Sequence, residues 1–212
     1  MILRLYSTTP EDYHKCDDII DYDSVAVRTL ADTLCKEAGA TPENTTPFIK
    51  SAYEFVRDHI SHSADINADA VTVSASEVLK ARHGICFAKS HLLAAILRSK
   101  SVPAGFCYQK IVMDDDTAPV LIYHGLNAVY LRDYDKWVRL DARGNKPGIN
   151  AQFSIDGEQL AYPIRSEKGE MDGIIVYPNP DTLVVNTMRQ YRSRTQLWDH
   201  LPTELGYDRD KY

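Results

Sequence analysis

The stretch from residue 82 to residue 97 constrains the fold of this chain most, because it joins a polar loop to an almost unbroken apolar block. The loop ends at Gly84, Cys86 follows, and six of the seven residues 91–97 are apolar. This pattern predicts a buried helix that begins at Cys86. In the first turn of a helix, a thiol meets unpaired backbone N–H groups and the positive end of the helix dipole, which favour the thiolate. Cys86 is therefore a candidate nucleophile, and the alternative is an inert cysteine in the core.

Apolar residues recur at helical spacing in the first part of the chain. Residues 24–39 and residues 46–60 both have this spacing, which predicts two amphipathic helices. Ser74 is followed three residues later by Glu77, in the arrangement of a capping box, so a third and shorter helix is expected to begin there. Residues 1–8 are expected to form a short edge strand.

The period of the pattern changes after Pro103, where apolar and polar residues begin to alternate. We expect Cys107, which lies among apolar neighbours, to be a core residue, and we expect two short helices in the tail, residues 181–212. The predicted strands are residues 104–113, 121–131 and 137–142, followed by a later hairpin of residues 160–165 and 174–177. Helices and strands in this order predict an α+β fold with the buried helix packed on an antiparallel sheet.

The spacing of two of these strands predicts that a histidine and an aspartate meet. If residues 132–135 form the loop between the strands, Leu131 pairs with Lys136. His124 and Asp141 then lie on the same face as diagonal neighbours, with Cα atoms roughly 7–8 Å apart. A register shifted by one residue would place them on opposite faces. Asp141 lies between apolar residues, so it is expected to be buried and to need a partner.

Cys86, His124 and Asp141 together match the needs of nucleophilic acyl transfer. This chemistry requires a thiolate, a base within hydrogen-bond reach, and a third group that orients the imidazole. On its own, His124 could be a strand histidine with a structural partner, but the three residues together favour catalysis. The backbone N–H of Cys86 is one candidate oxyanion donor, and the sequence does not identify a second.

Other polar residues near these strands are candidates for contacts with substrate or with the reacting groups. Gln109 and Asn127 lie on neighbouring strands, where the alternative role is that of a core amide. Arg143, Asn145 and Lys146 follow the aspartate closely and could line a cleft that attracts an acidic substrate. Equally, these three residues could form a polar turn.

A metal-dependent hydrolase is the competing enzyme class. His59 and His62 are three residues apart and could lie on one helical face as metal ligands, and Asp114, Asp115 and Asp116 form an acidic loop. For the two histidines the alternative is a helix end. For the three aspartates the alternative is a solvated turn, because the glycine and distal glutamate of a calcium loop are missing. We expect no metal and no cofactor. The cysteines of the chain are Cys16, Cys35, Cys86 and Cys107. They form no C-x-x-C pair, which argues against a zinc site and a disulfide framework.

Charge and composition exclude some partners. The net charge of −6 argues against nucleic-acid binding, which requires a basic face. No apolar run approaches the roughly 18 residues of a membrane span, and the first residues lack the pattern of a signal peptide, so a cytoplasmic protein is expected. We expect one domain over residues 1–212, comprising a helical part (1–63), a catalytic core (64–180) and a helical tail (181–212).

Several short motifs resemble those of the transglutaminase-like superfamily, in particular its bacterial branch of small candidate cysteine peptidases. The likeness covers residues 20–165. The motifs are Gly84-Ile85-Cys86, His124 ahead of Asn127-Ala128-Val129, and Trp137-Val138-Arg139-Leu140-Asp141. The longer similar runs are residues 56–65, 86–93, 104–109 and 141–148. In one departure, many members have an aromatic residue close after the histidine, whereas this chain continues with Gly125-Leu126-Asn127.

The resemblance implies a papain-like α+β fold and a thiol-dependent acyl-transfer enzyme. It implies that Cys86, His124 and Asp141 form a catalytic triad acting on a peptide or another amide-containing substrate. Hydrolysis through an acyl-enzyme is the first expectation and transamidation the second. A binding module that keeps the fold without turnover is the alternative outside enzymes.

Overall fold

The computed structural model describes residues 2–113 and 120–207, and the predicted acidic loop at residues 114–116 lies outside them. The protein has an α+β fold in which helices pack on an antiparallel sheet. In the described part of the chain the helices are α1 (Val25–Glu37), α2 (Thr46–His59), α3 (Ala75–Ala81), α4 (Cys86–Arg98), α5 (Thr182–Gln190) and α6 (Arg194–Trp198). The strands are β1 (Arg4–Leu5), β2 (Ser61–His62), β3 (His83–Gly84), β4 (Ala104–Met113), β5 (Val120–Leu131), β6 (Lys136–Leu140), β7 (Met171–Asp172) and β8 (Ile175–Val176).

Helix α4 is the centre of the fold, as its apolar sequence predicts. Every residue of α4 after Cys86 is buried, and the helix packs against α1, α2, α3 and the sheet. A helix that is apolar on nearly all sides is stable only when other elements cover all of it. None of the helices in the described ranges is both long enough and apolar enough to cross a membrane.

Capping interactions fix the ends of two helices that precede α4. In α3, the Ser74 hydroxyl accepts from the backbone N–H of Glu77, whose side chain accepts from the Ser74 N–H, which confirms the capping box. In α2, the carboxylate of Asp133 accepts from the backbone N–H of Thr46 at 3.0 Å. The turn between β5 and β6 therefore caps a helix more than 80 residues earlier in the chain.

The main sheet has the strand order β6-β5-β4-β7 and is antiparallel. Leu131 lies opposite Lys136, which confirms the predicted register. Asp135 closes the turn in the left-handed conformation, with φ +49°, which aspartate tolerates better than most residues. One face of the sheet packs on α4, and the other covers a smaller cluster that contains Cys107, a core residue as expected.

Two short parallel pairs join distant parts of the chain. In one, β1 pairs with β8, which confirms an edge strand within the first eight residues. In the other, β2 pairs with β3, with Ser61 opposite His83 and His62 opposite Gly84. This second pair holds the segment after α2 beside the start of α4.

The predicted hairpin of residues 160–165 and 174–177 is wrong. Residues 160–165 have no regular structure, and β8 pairs with β1 instead. The physical reason lies in the backbone: the N–H of Ala161 donates to Asp141 at 3.0 Å, and Pro163 has no N–H to give to a neighbouring strand.

Candidate active site

Cys86 is the first residue of α4, at the predicted position. Ile85 before it is extended, with φ −75° and ψ 172°, so the chain turns into the helix at the cysteine. Gly84 is closely surrounded, because a Cβ there would lie 3.0 Å from Cβ of Ala88 and 3.2 Å from Oγ1 of Thr72. The absence of a side chain at Gly84 lets β3 run close to α4. The Cys86 side chain itself is partly exposed.

His124 and Asp141 meet as the register predicts. The Nε2 atom of His124 lies 2.9 Å from Oδ2 of Asp141, and both side chains are buried, with the residues 2% and 1% exposed. The carboxylate also accepts backbone N–H groups, from Arg143 at 3.1 Å and from Ala161 at 3.0 Å. Three donors on one buried carboxylate hold it in its ionised form.

The imidazole of His124 bonds to Asp141, and it lies close enough to Cys86 for the thiol to affect its pKa. Because Nε2 faces the carboxylate, the nitrogen that remains for the thiol is Nδ1. Burial alone would lower the pKa of His124, but the charges and hydrogen bonds of Asp141 and Cys86 raise this pKa well above its ordinary value. Burial opposes ionisation of Asp141 too, yet His124 and the two backbone N–H groups lower its pKa. The arrangement favours an imidazolium beside the ionised carboxylate of Asp141.

A cleft of about 640 Å³ opens onto Cys86 and His124. The Tyr162 ring packs edge-on against the His124 ring, with centroids 4.9 Å apart, and forms part of the cleft wall. No pattern in the sequence pointed to Tyr162, because it lies in an irregular segment of a chain with 13 tyrosines. Other side chains that line the cleft are His62, Ile85, Phe87, Ile122, Arg143, Trp198 and Leu201.

Phe87 explains why a glycine follows the histidine. Phe87 is 1% exposed, and a Cβ on Gly125 would lie 2.5 Å from its Cδ1 atom. Real Cβ atoms do not approach so closely, so the strand can lie against this ring only with glycine at position 125. The departure from the superfamily pattern at this position coincides with that contact.

Arg143 and Lys146 line the cleft, which was one of the two alternatives for these residues in the sequence analysis. Both, however, bind the same carboxylate: the Arg143 guanidinium makes two hydrogen bonds to Asp65, and Nζ of Lys146 lies 2.8 Å from Oδ1 of Asp65. Asp65, which sequence reasoning did not select, therefore offsets part of the positive charge at this wall. Arg143 also donates to the hydroxyl of Tyr162 at 3.0 Å.

The three candidate amides do not line the cleft. Asn145 bonds to the backbone of Ala151, donating at 3.1 Å and accepting at 2.7 Å. Asn127 donates to the Ser90 and Gly105 carbonyls at 3.1 and 3.2 Å, in the manner of a core amide. The Gln109 side chain donates to Asp172 at 3.2 Å, while its backbone pairs with that of His124 across the sheet.

Lys89, one turn after Cys86, has its side-chain nitrogen buried among backbone oxygens. It donates to the carbonyls of Ile60 at 2.5 Å, Arg143 at 2.9 Å and Arg57 at 3.4 Å. Three acceptors match the three N–H groups of an ammonium. Burial, with the nearby charge of Arg143, lowers the pKa of Lys89 to about 7. Lys89 therefore ties the end of α2 and the segment after Asp141 to the nucleophile's helix.

His59 and His62 do not share a helical face, so the arrangement considered for a metal-dependent hydrolase does not occur. Helix α2 ends at His59, which is exposed, and His62 lies in β2 and is buried. The polar segment leaves the helix because its backbone pairs with β3. Within residues 2–113 and 120–207, no group of three or more His, Cys, Asp or Glu side chains is arranged to hold a metal ion.

Comparison with known proteins gives one family and several distant structures. The family model of the transglutaminase-like superfamily matches residues 32–142, more than half of the chain. No curated protein matches the sequence. A candidate cysteine protease from Cytophaga hutchinsonii is 17% identical, with a TM-score of 0.48 over 65% of this chain and 43% of its own.

Two other solved structures are similar at the same level. The periplasmic domain of TgpA from Pseudomonas aeruginosa, bound to ethylmercury, is 14% identical, with a TM-score of 0.45 over 63% of this chain and 48% of its own. A protein described as a TGase is 15% identical, with a TM-score of 0.42 over 77% of this chain and 46% of its own. The chain therefore matches less than half the length of each of these proteins.

Proposed function

The chain belongs to the transglutaminase-like superfamily, and we propose that it is a thiol-dependent acyl-transfer enzyme with Cys86 as nucleophile, His124 as acid and base, and Asp141 as the group that orients the imidazole. The observation that carries this proposal is the buried imidazole of His124, which bonds to Asp141 at 2.9 Å and lines the same cleft as Cys86. The proposed substrate is a peptide or another amide.

In the proposed reaction, the thiolate of Cys86 attacks the carbonyl carbon, a C–S bond forms, and the carbonyl electron pair moves to oxygen. The imidazolium of His124 gives its proton to the leaving amine as the C–N bond breaks, which leaves an acyl-enzyme. A water molecule then attacks the acyl carbon while His124 takes a proton from it. The acid product leaves and the thiolate is regenerated.

Asp141 keeps Nε2 protonated, so that Nδ1 faces the sulfur, and stabilises the imidazolium. The partial exposure of Cys86 supports water as the acyl acceptor, which makes hydrolysis the first proposal. An amine entering by the same route would give transamidation, the alternative. A non-catalytic binding module has no chemical need for an imidazole that bonds to a buried carboxylate and shares a cleft with a cysteine at a helix start.

The test is the rate at which iodoacetamide labels Cys86 as a function of pH. We expect fast labelling at pH 6 in the parent and slow labelling at pH 6 in His124→Ala, where the rate should rise only towards about pH 8.5, as for an ordinary thiol. Cys86→Ala gives the background from the other cysteines. The matched control is His91→Ala, because His91 is equally buried but bonds to the Val73 carbonyl at 2.8 Å. Identical profiles in the parent and in His124→Ala would refute the proposal.

A further inference from the structure

His62 is a buried polar residue of the cleft with an unused hydrogen-bonding atom. It is 8% exposed, lines the cleft with Cys86, and its Nδ1 has no hydrogen-bond partner. Leaving a polar atom buried and unpaired destabilises the folded state. Because Nδ1 is enclosed by protein, the nitrogen of His62 that is left to meet a substrate in the cleft is Nε2, for which the described part of the chain shows no hydrogen bond either.

Other histidines near the site have partners. Nδ1 of His83 lies 3.0 Å from the hydroxyl of Ser63, and Nδ1 of His91 lies 2.8 Å from the Val73 carbonyl. Those bonds account for their positions in structural terms. No such bond accounts for His62.

The β2–β3 pair brings His62 close to the nucleophile. His62 is paired with Gly84, two residues before Cys86, and the neighbouring N–H of Ser63 donates to the Gly84 carbonyl at 3.1 Å. The imidazole is thus held beside the start of α4, where the backbone N–H of Cys86 lies. The ring of His62 and the start of α4 therefore line the same cleft.

The imidazole of His62 is neutral at pH 7. Burial lowers its pKa to about 3, and the positive charge of Arg143 acts in the same direction, against the opposing effect of Asp65. A neutral imidazole has one N–H donor and one acceptor nitrogen. It can therefore polarise a carbonyl by hydrogen bonding without giving up a proton, as neutral histidine does in other enzymes.

We propose that the N–H of the His62 imidazole is the second donor to the oxyanion that forms when Cys86 attacks its substrate. The inference rests on the proposed function. When the C–S bond forms, the former carbonyl oxygen takes the electron pair, and the N–H groups of His62 and of the Cys86 backbone stabilise its charge. When the C–N bond breaks, the C=O bond forms again, and His62 has neither gained nor lost a proton.

Two probes separate this role from any effect on the thiol. Iodoacetamide alkylates Cys86 by displacement at a saturated carbon, with no oxyanion, whereas p-nitrophenyl acetate acylates it through a tetrahedral oxyanion and releases p-nitrophenolate. We expect His62→Leu to slow acylation by about 10²–10³-fold and to leave the alkylation rate unchanged. His62→Gln, with an amide N–H, should recover part of the acylation rate. His83→Ala is the matched control on the adjoining strand and should acylate at the parental rate.

The outcomes are distinct. Selective loss of acylation in His62→Leu with partial recovery in His62→Gln supports the proposal. Acylation that is unchanged in both variants overturns the proposal, and so does acylation that falls in parallel with alkylation. An equal loss of acylation in His62→Leu and His62→Gln also overturns it, provided that the two variants unfold at the same urea concentration. Parental alkylation that does not depend on His124 would instead overturn the proposed function itself.

Discussion

Replacing Asp141 with asparagine tests the arrangement at its most buried point. The carboxylate accepts from His124 and the Ala161 N–H on Oδ2, and from the Arg143 N–H on Oδ1. An amide of the same shape has only one oxygen. If that oxygen takes the place of Oδ2, the new NH₂ group points at the N–H of Arg143. In the opposite orientation it points at the N–H of Ala161 and at the ring of His124.

The better orientation leaves one buried backbone N–H unpaired, which costs about 1–3 kcal/mol, and exchanges an ionic hydrogen bond to His124 for a neutral one. Together these losses should lower the free energy of unfolding of Asp141→Asn by about 3 kcal/mol. That is a large part of the 5–15 kcal/mol that is typical for a domain.

The pH dependence follows from the directions of the two pKa shifts. The lowered pKa of Asp141 gives a contribution that is present above about pH 4 and is lost as pH falls through the native value. The raised pKa of His124 gives a contribution that is present below about pH 6.5 and is lost as pH rises through the native value. The stability difference between parent and Asp141→Asn should therefore be largest between about pH 4 and 6.5.

Urea unfolding at a series of pH values measures this difference, and iodoacetamide labelling of Cys86 at pH 6 measures the effect on the site. Asp181→Asn is the matched control: Asp181 is an equally buried carboxylate that accepts from the backbone N–H groups of Leu183, Val184 and Tyr207. The control should lose stability but keep parental labelling. A stability difference between the parent and Asp141→Asn that grows as pH rises above 6.5 would refute the reasoning. Labelling of Cys86 in Asp141→Asn at the parental rate at pH 6 would refute it as well.

Two further substitutions test the packing around the nucleophile. Gly125→Ala places a Cβ 2.5 Å from the ring of Phe87. We therefore expect the free energy of unfolding, measured in urea, to fall by about 1–3 kcal/mol, and iodoacetamide to label Cys86 more slowly. Parental values for both measurements would contradict the close contact. Lys89→Met takes the donor away from three carbonyl oxygens, but it also removes a buried charge whose lowered pKa opposes folding below about pH 7, so the free energy of unfolding should fall less at pH 6 than at about pH 9; an equal loss at both pH values would contradict the lowered pKa.

Local rules in the sequence were sufficient for the parts of the site that depend on regular pairing. The four-residue turn after Leu131 fixes the register, and the register brings His124 to Asp141. The apolar block likewise predicts the start of α4 at Cys86. In these cases the period of the pattern and the geometry of the element agree.

The rest of the site depends on contacts between segments that have no period of their own. Asp65 and Tyr162 lie in irregular stretches, and only the folded chain shows that both bind Arg143. The sequence left open whether His59 and His62 share a helical face, because the two-residue pairing of β2 with β3 cannot be seen in a local pattern. The hairpin predicted for residues 160–165 and 174–177 was wrong for the same reason. The backbone N–H of Ala161 donates to Asp141, a contact between distant segments that no local pattern shows.

The side-chain nitrogen of Lys89 has a consequence for how order in this region is maintained. It binds the carbonyl two residues before His62 and the carbonyl two residues after Asp141, from a position three residues after Cys86. Three stretches of backbone that are remote in the chain thus share one donor group. Displacement of any one of them would take an acceptor from the same buried nitrogen, which couples the positions of the segments that carry the reacting groups.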